Sequence, residues 1–503
     1  MNDSTHKHLA VRTIYGLLSA ILLALFALSV CGETIPVNEG AGFDGEFYRE
    51  VFRNFSADFF ATGYDSFRIQ RIFPFCLMNV VYNLAGIPLD NAHMMAGMYV
   101  LHFVNLALQL LLFFKLARLQ GWKPATTVVL FSLFFFNYAT LKNCGYIPFQ
   151  TDAFAVTVAL ASYYAILKGR EASGFALSLL GLVTWPTLTY VMALLLLFPL
   201  RPSVSKSAGV LPKLFEKPFP KFFQVLPFVY GLAAGTLVIL FHAMHKQKIL
   251  EDLLMGNFGT GHIIYCLIAF VGCAWVIALL RKVPGIPYSA VDFARSFRPR
   301  VFIGIVICIA AVSLLLRMHT NNDYFFDGKV FLLQVLIRPL KYPLVTLAGH
   351  IVYWGALPAF LVLFARDFVK DSTARSPGHT LVLLVFLFFA LDSESRHIAP
   401  FLPLLLVPLG HALDKADPAP KFAIFTVILQ LVLSHFYIPI NVDGFSESLE
   451  AGKFLTPEAQ RHFMNYGPWM TGSSYRDWIA VAIAALIGTN EVFKRSKRPQ
   501  SGK

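Results

Sequence analysis

The chain has 503 residues, of which 56% are hydrophobic and only 14% are charged, and its formal net charge is +13. Soluble proteins carry roughly 25% charged residues, so this composition excludes a string of ordinary soluble domains. Apolar runs of about 18 residues recur along the chain, and this is the length that a helix needs to cross a bilayer. The composition therefore predicts an all-α membrane protein, folded as one polytopic domain over residues 1–503.

The excess of positive charge lies in short clusters between the apolar runs. Arg281 and Lys282 form one cluster, residues 295–300 contain another, and a basic tail covers 493–503. Lys and Arg beside a span resist translocation and keep their loop in the cytoplasm. The charge therefore indicates topology and not nucleic-acid binding. The expected location is a bacterial inner membrane, with both termini in the cytoplasm.

In chain order, the first apolar run is expected to be an uncleaved span, since no small-residue cleavage site follows it. Residues 174–199 contain Trp185 and Pro186 at their centre, where proline interrupts a helix, so two short helices are expected there. Single spans are predicted near 13–31, 93–114, 124–141, 150–167, 222–242, 262–280, 301–316, 343–365, 379–392, 397–413, 421–438 and 475–492. The total is about 13 spans, within a range of about 11 to 15.

Alternation of these spans assigns each connecting segment to one side of the membrane. The basic loops fall inside, as the positive-inside rule requires. The outer segments are 32–71, 142–149, 244–261, 317–342, 393–396 and 439–474. Of these, 32–71 is the first outer loop and 439–474 is the last.

The first outer loop mixes acidic, basic and aromatic residues and includes the string GFDGEFYREVFRNFSADFF. Phe47, Val51 and Phe55 recur every four residues, which predicts a helix lying in the membrane interface. Asp44 comes just before this helix. Two compatible roles are open for its carboxylate: a helix cap, or a general base that accepts a hydroxyl proton.

Two strings in this loop carry a resemblance to a known family. GFDGEFY and YDSFRIQRIFP are similar to a Y/F-D-G-Q/E-x-Y … Y-R-x-Q-R-x-x-x-P pattern of bacterial membrane proteins. Those proteins are related to the GT-C superfamily of membrane glycosyltransferases. Phe67 stands here where the pattern has Tyr before Arg68. The similarity covers the first outer loop, and the layout of the spans agrees more loosely.

The resemblance implies an activity and two acidic site residues. Members of the superfamily usually take a sugar from a polyprenyl-phosphate carrier and transfer it on the outer face, here to a cell-surface glycan or lipid acceptor. Their first-loop aspartate is the usual catalytic base, and that position is Asp44. Many members carry a second acidic residue in the next outer loop, which corresponds to Asp152. Capping of a helix that starts at Ala153 is the alternative role for Asp152.

Cationic and aromatic residues near the outer ends of spans are candidates for substrate binding. Arg68 and Arg71 either extend towards lipid headgroups or hold the phosphate of a lipid-linked donor through paired hydrogen bonds. Tyr324 lies in a polar and aromatic stretch of 317–329. It either stacks on a sugar ring or anchors the chain at the membrane interface.

The string SRHIAPFLP places Arg396 and His397 at the outer start of a predicted span. Charged residues at membrane depth are costly and commonly functional, which makes Arg396 a second candidate for binding phosphate. An ion pair with Asp392 or Glu394 in the same turn is the competing explanation. His397 could donate to phosphate or serve a structural role.

The sequence also offers candidates for a metal cofactor and for an alternative function. His242, His245 and His262 flank one outer loop, but their spacing matches no metal site. A divalent cation, Mg²⁺ or Mn²⁺, held by acidic residues of the first loop is a candidate cofactor. The alternative function is a transporter, flippase or polymerase-like protein for lipid-linked saccharides. It is disfavoured because few polar residues occupy the predicted middle of the spans.

Overall fold

A computed structural model describes residues 3–199, 234–244, 246–254, 288, 290–321, 328–441, 445–451 and 469–496. Within these ranges the regular structure is helical. The one pairing of extended backbone there is an isolated parallel bridge between Tyr64 and Thr320. The prediction of an all-α chain is therefore confirmed for the described residues.

The helices of the N-terminal part follow the apolar runs. They are α1 (Asp3–Val30), α2 (Phe43–Ala61), α3 (Phe73–Ala85), α4 (Asn91–Gln120), α5 (Pro124–Phe135), α6 (Asp152–Leu167), α7 (Glu171–Leu179) and α8 (Pro186–Leu197). α4 shows how local chemistry sets such bounds. Asp90 caps it by accepting the backbone N–H of His93, and Gly121 ends it in the left-handed conformation.

The regular structure of the C-terminal part is also helical within its described ranges. Its helices are α9 (Ala234–Ala243), α10 (Gln247–Leu254), α11 (Ala290–Ser296), α12 (Pro299–Arg317), α13 (Gly328–Ile337), α14 (Val345–Trp354), α15 (Leu357–Leu363), α16 (Ala365–Arg375), α17 (Pro377–Leu391), α18 (Leu402–Ala416), α19 (Pro420–Leu433), α20 (Phe445–Glu450) and α21 (Gly472–Ser496). A tight 3-10 helix, Ser395–Phe401, leads into α18. The turn between α17 and α18 is therefore short and ordered, and it carries several charged residues.

Among the described residues, 4 helices are long and apolar enough to cross a membrane, or up to 6 if each of two bent pairs counts as one span. The four are Thr13–Val30, Asn91–Gln120, Pro299–Arg317 and Ser395–Ala416. They confirm the apolar helices predicted near 13–31, 93–114, 301–316 and 397–413. The other predicted spans correspond to shorter, broken or more polar helices, or lie partly or wholly outside the described residues, as 222–242 and 262–280 do.

For residues 317–365, one predicted span is wrong, and the predicted outer segment contains a helix. The predicted outer loop 317–342 contains α13, which continues to Leu340 and meets α14 at an angle of 101°. The predicted span 343–365 is not one helix, because Gly355 breaks it with a φ of +66°. The side chain of Gln430 occupies the space beside this glycine and accepts the backbone N–H of Ala356. A partner from α19 therefore sets the break.

Two ionic contacts each join the ends of two helices. Lys123 at the start of α5 lies 2.8 Å from Asp417 at the end of α18. Arg298 at the start of α12 lies 2.6 Å from Glu171 at the start of α7. These are ends that the charge pattern predicts to be cytoplasmic. Contact between them is what an alternating arrangement of helices requires.

The apolar core of the described residues has a large part and a smaller part that meet at the start of α6, and a third, separate part formed by α9, α10 and the end of α13. The large part packs α1, α4, α5, α6, α8, the helices from α14 to α19, and α21. The smaller part is built by α2, α3 and the start of α4, with Phe52 and Phe75 fully buried in it. Phe149 and Phe154, on either side of Asp152, belong to the smaller part. Asp152 therefore lies at the boundary between the two.

Candidate functional site

The first-loop motif is positioned by a close approach of α2 to the segment before α6. Gly42 is the N-cap of α2, and Asp44 lies inside the first turn, so the prediction that Asp44 caps this helix is wrong. A Cβ atom on Gly45 would lie 3.1 Å from the Cβ of Phe149, so the absence of a side chain at 45 allows this contact. The contact brings the motif next to the residues that precede Asp152.

Asp44 lies beside an arginine and remains open to solvent. Its Oδ1 atom is 3.8 Å from Arg68 Nη2, and the two side chains are 40% and 37% exposed. Arg68 is held in turn by Asp65, whose carboxylate is 3.8 Å from Arg68 Nη1 and accepts the backbone N–H groups of Phe67 and Arg68. Asp65 therefore fixes the turn that carries Arg68, while the Asp44 carboxylate stays accessible.

Arg71 lies between two aromatic rings. Its guanidinium carbon is 4.4 Å from the ring centre of Trp185 and 4.6 Å from that of Phe67. Trp185 is extended because Pro186 begins α8 and disfavours helix in the residue before it. The predicted break at this dipeptide is thus confirmed, and it places Trp185 against the first loop. Such stacking orients a guanidinium through its faces, so that the N–H groups at its edge can make hydrogen bonds, here to the Tyr48 hydroxyl and to an anion.

Tyr48 shows that Asp44, Arg71 and Arg396 share one environment. This tyrosine is 3% exposed and stacks on Phe75, with ring centres 4.6 Å apart. Burial raises the pKa of Tyr48 to about 12, and the charges of Arg71, Asp44 and Arg396 all act on it. The hydroxyl therefore stays protonated at neutral pH. Residues from the first loop and from the turn before α18 meet around it.

Asp152 lies on the buried side of the same cluster. It is the first residue of α6, with Thr151 as the N-cap and no side-chain cap, so the predicted capping of a helix from Ala153 is wrong. Its side chain accepts a hydrogen bond from the hydroxyl group of Tyr353, and the two oxygen atoms are 3.1 Å apart. The positive charges of Arg396 and Arg71 act on its carboxyl group. Asp152 is therefore a buried acidic group facing two arginines.

The turn between α17 and α18 holds a network of charged residues. Arg338 lies 3.4 Å from Asp392 and 3.2 Å from Glu394. Glu394 also accepts from Arg396 Nε at 2.5 Å, and Asp392 lies 2.6 Å from His397 Nδ1. The predicted ion pair of Arg396 is thus present, and its partner is Glu394. Arg396 keeps 30% of its side chain exposed, so the pair leaves part of it accessible.

The charges around this turn favour the ionised form of the Glu394 carboxyl group. Burial alone would raise the pKa of Glu394, but the charges of Arg396, His397 and Arg338 outweigh burial and hold this pKa below its usual range. Glu394 therefore stays ionised at neutral pH. Its negative charge is balanced within the turn by Arg338 and Arg396, which both contact it.

Asp392, Glu394 and His397 form a group whose ligand atoms lie within 4.8 Å of one another. Oxygen and nitrogen atoms at such separations suit a divalent cation. Both carboxylates, however, already contact the guanidinium group of Arg338, so a cation would compete with it for the same oxygens. The arrangement fits an ion-pair network better than a metal centre. In the first loop, Arg68 lies between Asp44 and Asp65 and contacts both carboxylates. A cation bound by these two residues would therefore also compete with an arginine.

The structure brings together every predicted site residue that it describes. Asp44, Arg68, Arg71, Asp152, Arg396 and His397 form one continuous cluster. Tyr324 lies outside the described residues. His242 is exposed, and His245 and His262 also fall outside the described ranges.

Sequence reasoning missed four residues of the cluster, namely Tyr48, Trp185, Arg338 and Tyr353, as site residues. Tyr48 follows Asp44 by four positions, which places both on one face of a helix, and this spacing was the available signal. In the sequence, Trp185 is conspicuous only because a proline follows it. Arg338 and Tyr353 follow apolar runs, where such residues usually serve as interface anchors. Their roles depend on tertiary contacts that spacing does not reveal.

Comparison with known proteins gives no match to a family model, a curated protein or a solved structure. The function is therefore inferred from the cluster itself. Its elements are an accessible carboxylate, a buried carboxylate and arginines in aromatic and acidic surroundings. These groups can accept a proton and bind an anion.

Proposed function

We propose that the protein is a membrane glycosyltransferase similar to the GT-C superfamily, which moves a sugar from a polyprenyl-phosphate donor to a cell-surface glycan or lipid acceptor. The observation that carries the proposal is the meeting of four separate segments in one cluster. They are the first loop, the start of α6, the break at Trp185 and the turn before α18. Such a cluster has both the base and the anion-binding groups that sugar transfer from a phosphate requires.

In the proposed reaction, an acceptor hydroxyl attacks the anomeric carbon of the donor sugar. A new carbon–oxygen bond forms as the bond from that carbon to the phosphate oxygen breaks. Asp44 accepts the hydroxyl proton, and the polyprenyl phosphate leaves as an anion. Arg71 and Arg396 stabilise the negative charge that develops on the leaving phosphate, because fixed cations in a partly dry site act strongly.

The two carboxylates suit different roles. Asp44 is half exposed and can be reached by an acceptor from the aqueous side. Asp152 is 8% exposed and is held by Tyr353 and by the charges of two arginines. We assign proton transfer to Asp44, and we assign to Asp152 the orientation of Arg71 and Arg396.

The proposed topology has about 13 spans, both termini in the cytoplasm and the cluster at the outer face of a bacterial inner membrane. The paired contacts of the basic helix ends support this orientation. α3 supports it too, because Leu77, Val80, Val81 and Leu84 are exposed on one apolar helix. An apolar face beside a charged cluster suits a helix that lies in the membrane interface, where a lipid-linked donor would arrive.

The decisive experiment measures release of polyprenyl phosphate by purified protein in detergent, using a panel of polyprenyl-phosphate sugars. We expect release with one donor class in the presence of acceptor lipid, and no release from the Asp44→Asn variant. A panel that yields no turnover although donors bind would contradict the enzymatic proposal. Addition of EDTA in the same assay tests the candidate Mg²⁺ or Mn²⁺ requirement.

A flippase for lipid-linked saccharides is the second candidate, favoured by one observation. His102, Asn105 and Gln109 are buried on α4 at helical spacing, so polar groups occur inside a candidate span after all. Buried polar groups of this kind can line a substrate path. Reconstituted vesicles separate the two functions, because a flippase moves a labelled lipid between leaflets without releasing its phosphate.

A further inference from the structure

A cavity of about 30 Å³ lies behind Asp152, between α1, α4, α5, α6 and α14. Most of its wall is apolar, through residues such as Phe134 and Trp354. The rest of the wall is polar and includes His102, Gln109, Gln150 and Asp152. A cavity needs roughly 10–15 Å³ for each water molecule, so this one has room for about two.

His102 presents a hydrogen-bond acceptor in this wall. Its ring is 1% exposed, and Nε2 lies 2.8 Å from the carbonyl oxygen of Pro148. A carbonyl oxygen only accepts, so Nε2 carries the proton and Nδ1 carries a lone pair. Nδ1 is buried and has no hydrogen-bond partner among the described residues. Burial of such an atom without a partner is costly.

Gln150 presents the complementary donor. Its side chain is 9% exposed, and Oε1 accepts from Asn143 Nδ2 at 2.7 Å, which fixes the orientation of the amide. Nε2 of Gln150 is buried and has no partner within the described part of the chain. The cavity wall therefore holds an acceptor on His102 and a donor on Gln150, which is the pair that bridging water needs.

We propose that this cavity is a hydrated pocket that binds about two water molecules between His102, Gln150 and the carboxyl group of Asp152. Water there satisfies both buried atoms and supplies further hydrogen bonds to the carboxyl group of Asp152. Together with the hydrogen bond from Tyr353 and the charges of Arg71 and Arg396, this water holds a buried carboxyl group in place. The proposal rests on the geometry and does not depend on the proposed sugar transfer.

Radiolytic hydroxyl-radical labelling of the full-length protein in detergent tests the pocket, because buried side chains beside bound water are oxidised where dry ones are not. Cys144 lines the cavity and is buried, whereas Met192 is fully buried elsewhere in the core. Exposed Cys31 gives the rate for open solvent. We expect Cys144 to be oxidised at a rate near that of Cys31 and far above that of Met192.

Two variants make the test specific to the water molecules. Ala153 lines the cavity, so Ala153→Leu fills it without removing a polar group, and His102→Phe removes the acceptor. Both should reduce Cys144 oxidation to the Met192 rate while Cys31 stays unchanged. Oxidation of wild-type Cys144 at the Met192 rate would overturn the proposal. So would a Cys144 rate that persists in both variants, provided that each variant remains monodisperse.

Discussion

At the scale of single residues, the accessible carboxylate of the first loop carries the most specific prediction. Asp44→Asn keeps the shape of the side chain but removes its ability to take a proton at neutral pH. We expect sugar transfer to fall by at least ~100-fold, the lower range for general acid–base catalysis. Folding should change little, since the favourable interaction of Asp44 with the start of α2 is worth only about 0.3–1 kcal/mol. Lipid phosphate release and thermal unfolding measure the two effects.

Glu46 gives the matched control, because it lies in the same turn of α2 and is exposed. Glu46→Gln changes the charge by the same amount and should leave transfer near the wild-type rate. Asp65 serves less well, since it holds the turn that carries Arg68. If Asp44→Asn transfers sugar at a near wild-type rate while Asp152→Asn is inactive, Asp44 is not the base.

Arg396 and Arg338 contact the same glutamate but should respond differently to removal. Arg396→Ala leaves Glu394 paired with Arg338 at 3.2 Å, so the fold should survive. Loss of a hydrogen bond to a charged group costs about 1.5–3 kcal/mol, and we expect at least a tenfold rise in the donor KM. Lys should rescue poorly at 396, because it lacks the paired donors of arginine.

Arg338→Ala is the comparison, since Arg338 is 4% exposed and balances both Asp392 and Glu394. Removing one partner of a buried ion pair costs about 3–5 kcal/mol. A clear fall in Tm is therefore expected for this variant alone. Equal destabilisation by Arg396→Ala and Arg338→Ala would assign Arg396 a purely structural role.

At the scale of helices, the break before α8 matters through Trp185. Trp185→Leu removes one of the two rings on which Arg71 stacks, a contact worth about 0.5–2 kcal/mol, whereas Trp185→Phe keeps an aromatic face. We expect the donor KM to rise for Leu and to stay close to wild type for Phe, at similar Tm values. Identical KM values for the two variants would show that the stacking does not hold Arg71 for donor binding.

Glu33 ties the end of α1 to two distant segments. It lies 2.7 Å from Lys142 and accepts the backbone N–H groups of Ile440 and Asn441. Burial would raise the pKa of Glu33, but the hydrogen bonds and the charge of Lys142 lower it overall. The stabilisation is therefore complete above the unfolded-state pKa and is lost as pH falls through the lower folded-state value.

Glu33→Gln should accordingly reduce stability at neutral pH by about 2 kcal/mol, the scale of hydrogen bonds to a charged group. The difference in Tm between wild type and variant should shrink as pH falls below the usual range for glutamate. Thermal unfolding across pH 3–7 measures this (a range set by the ordinary glutamate pKa of about 4.3). A difference that stays constant over this range would contradict the assignment.

The contrast between predicted and observed helices has a physical cause. α1 and α4 each contain a long stretch of high mean hydropathy, so hydropathy alone predicts them. The break at Gly355 depends on Gln430, which lies far away in sequence, and no local pattern contains it. The residues of the candidate site likewise divide into those with a local sequence signal and those that depend on distant contacts. Charges at span ends such as Arg396 are costly and therefore conspicuous, whereas Tyr353 resembles any interfacial tyrosine until its contact with Asp152 is known.

At the scale of the whole molecule, the orientation in the membrane is the property to test. Glu46 and Arg170 are both exposed, and the proposed topology places them on opposite sides. In a background without Cys31, a membrane-impermeant maleimide should label Glu46→Cys in intact cells and spare Arg170→Cys until the cells are permeabilised. Asn38 is a poorer site for a probe because its φ is +48°. The reverse labelling pattern would place the cluster in the cytoplasm and contradict the proposed donor route.

The contact at Gly45 makes the geometry of the site sensitive to the addition of a single methyl group. Because α2 and the segment before α6 touch there without an intervening side chain, their separation is set by backbone contact and not by flexible rotamers. An alanine at 45 would act as a wedge, since its Cβ would sit 3.1 Å from Phe149. The wedge would push the Asp44 turn away from Asp152 and leave every charged residue intact. Inactivation by Gly45→Ala, which changes no charge, would show that the site depends on the distance between Asp44 and Asp152 as well as on their charges.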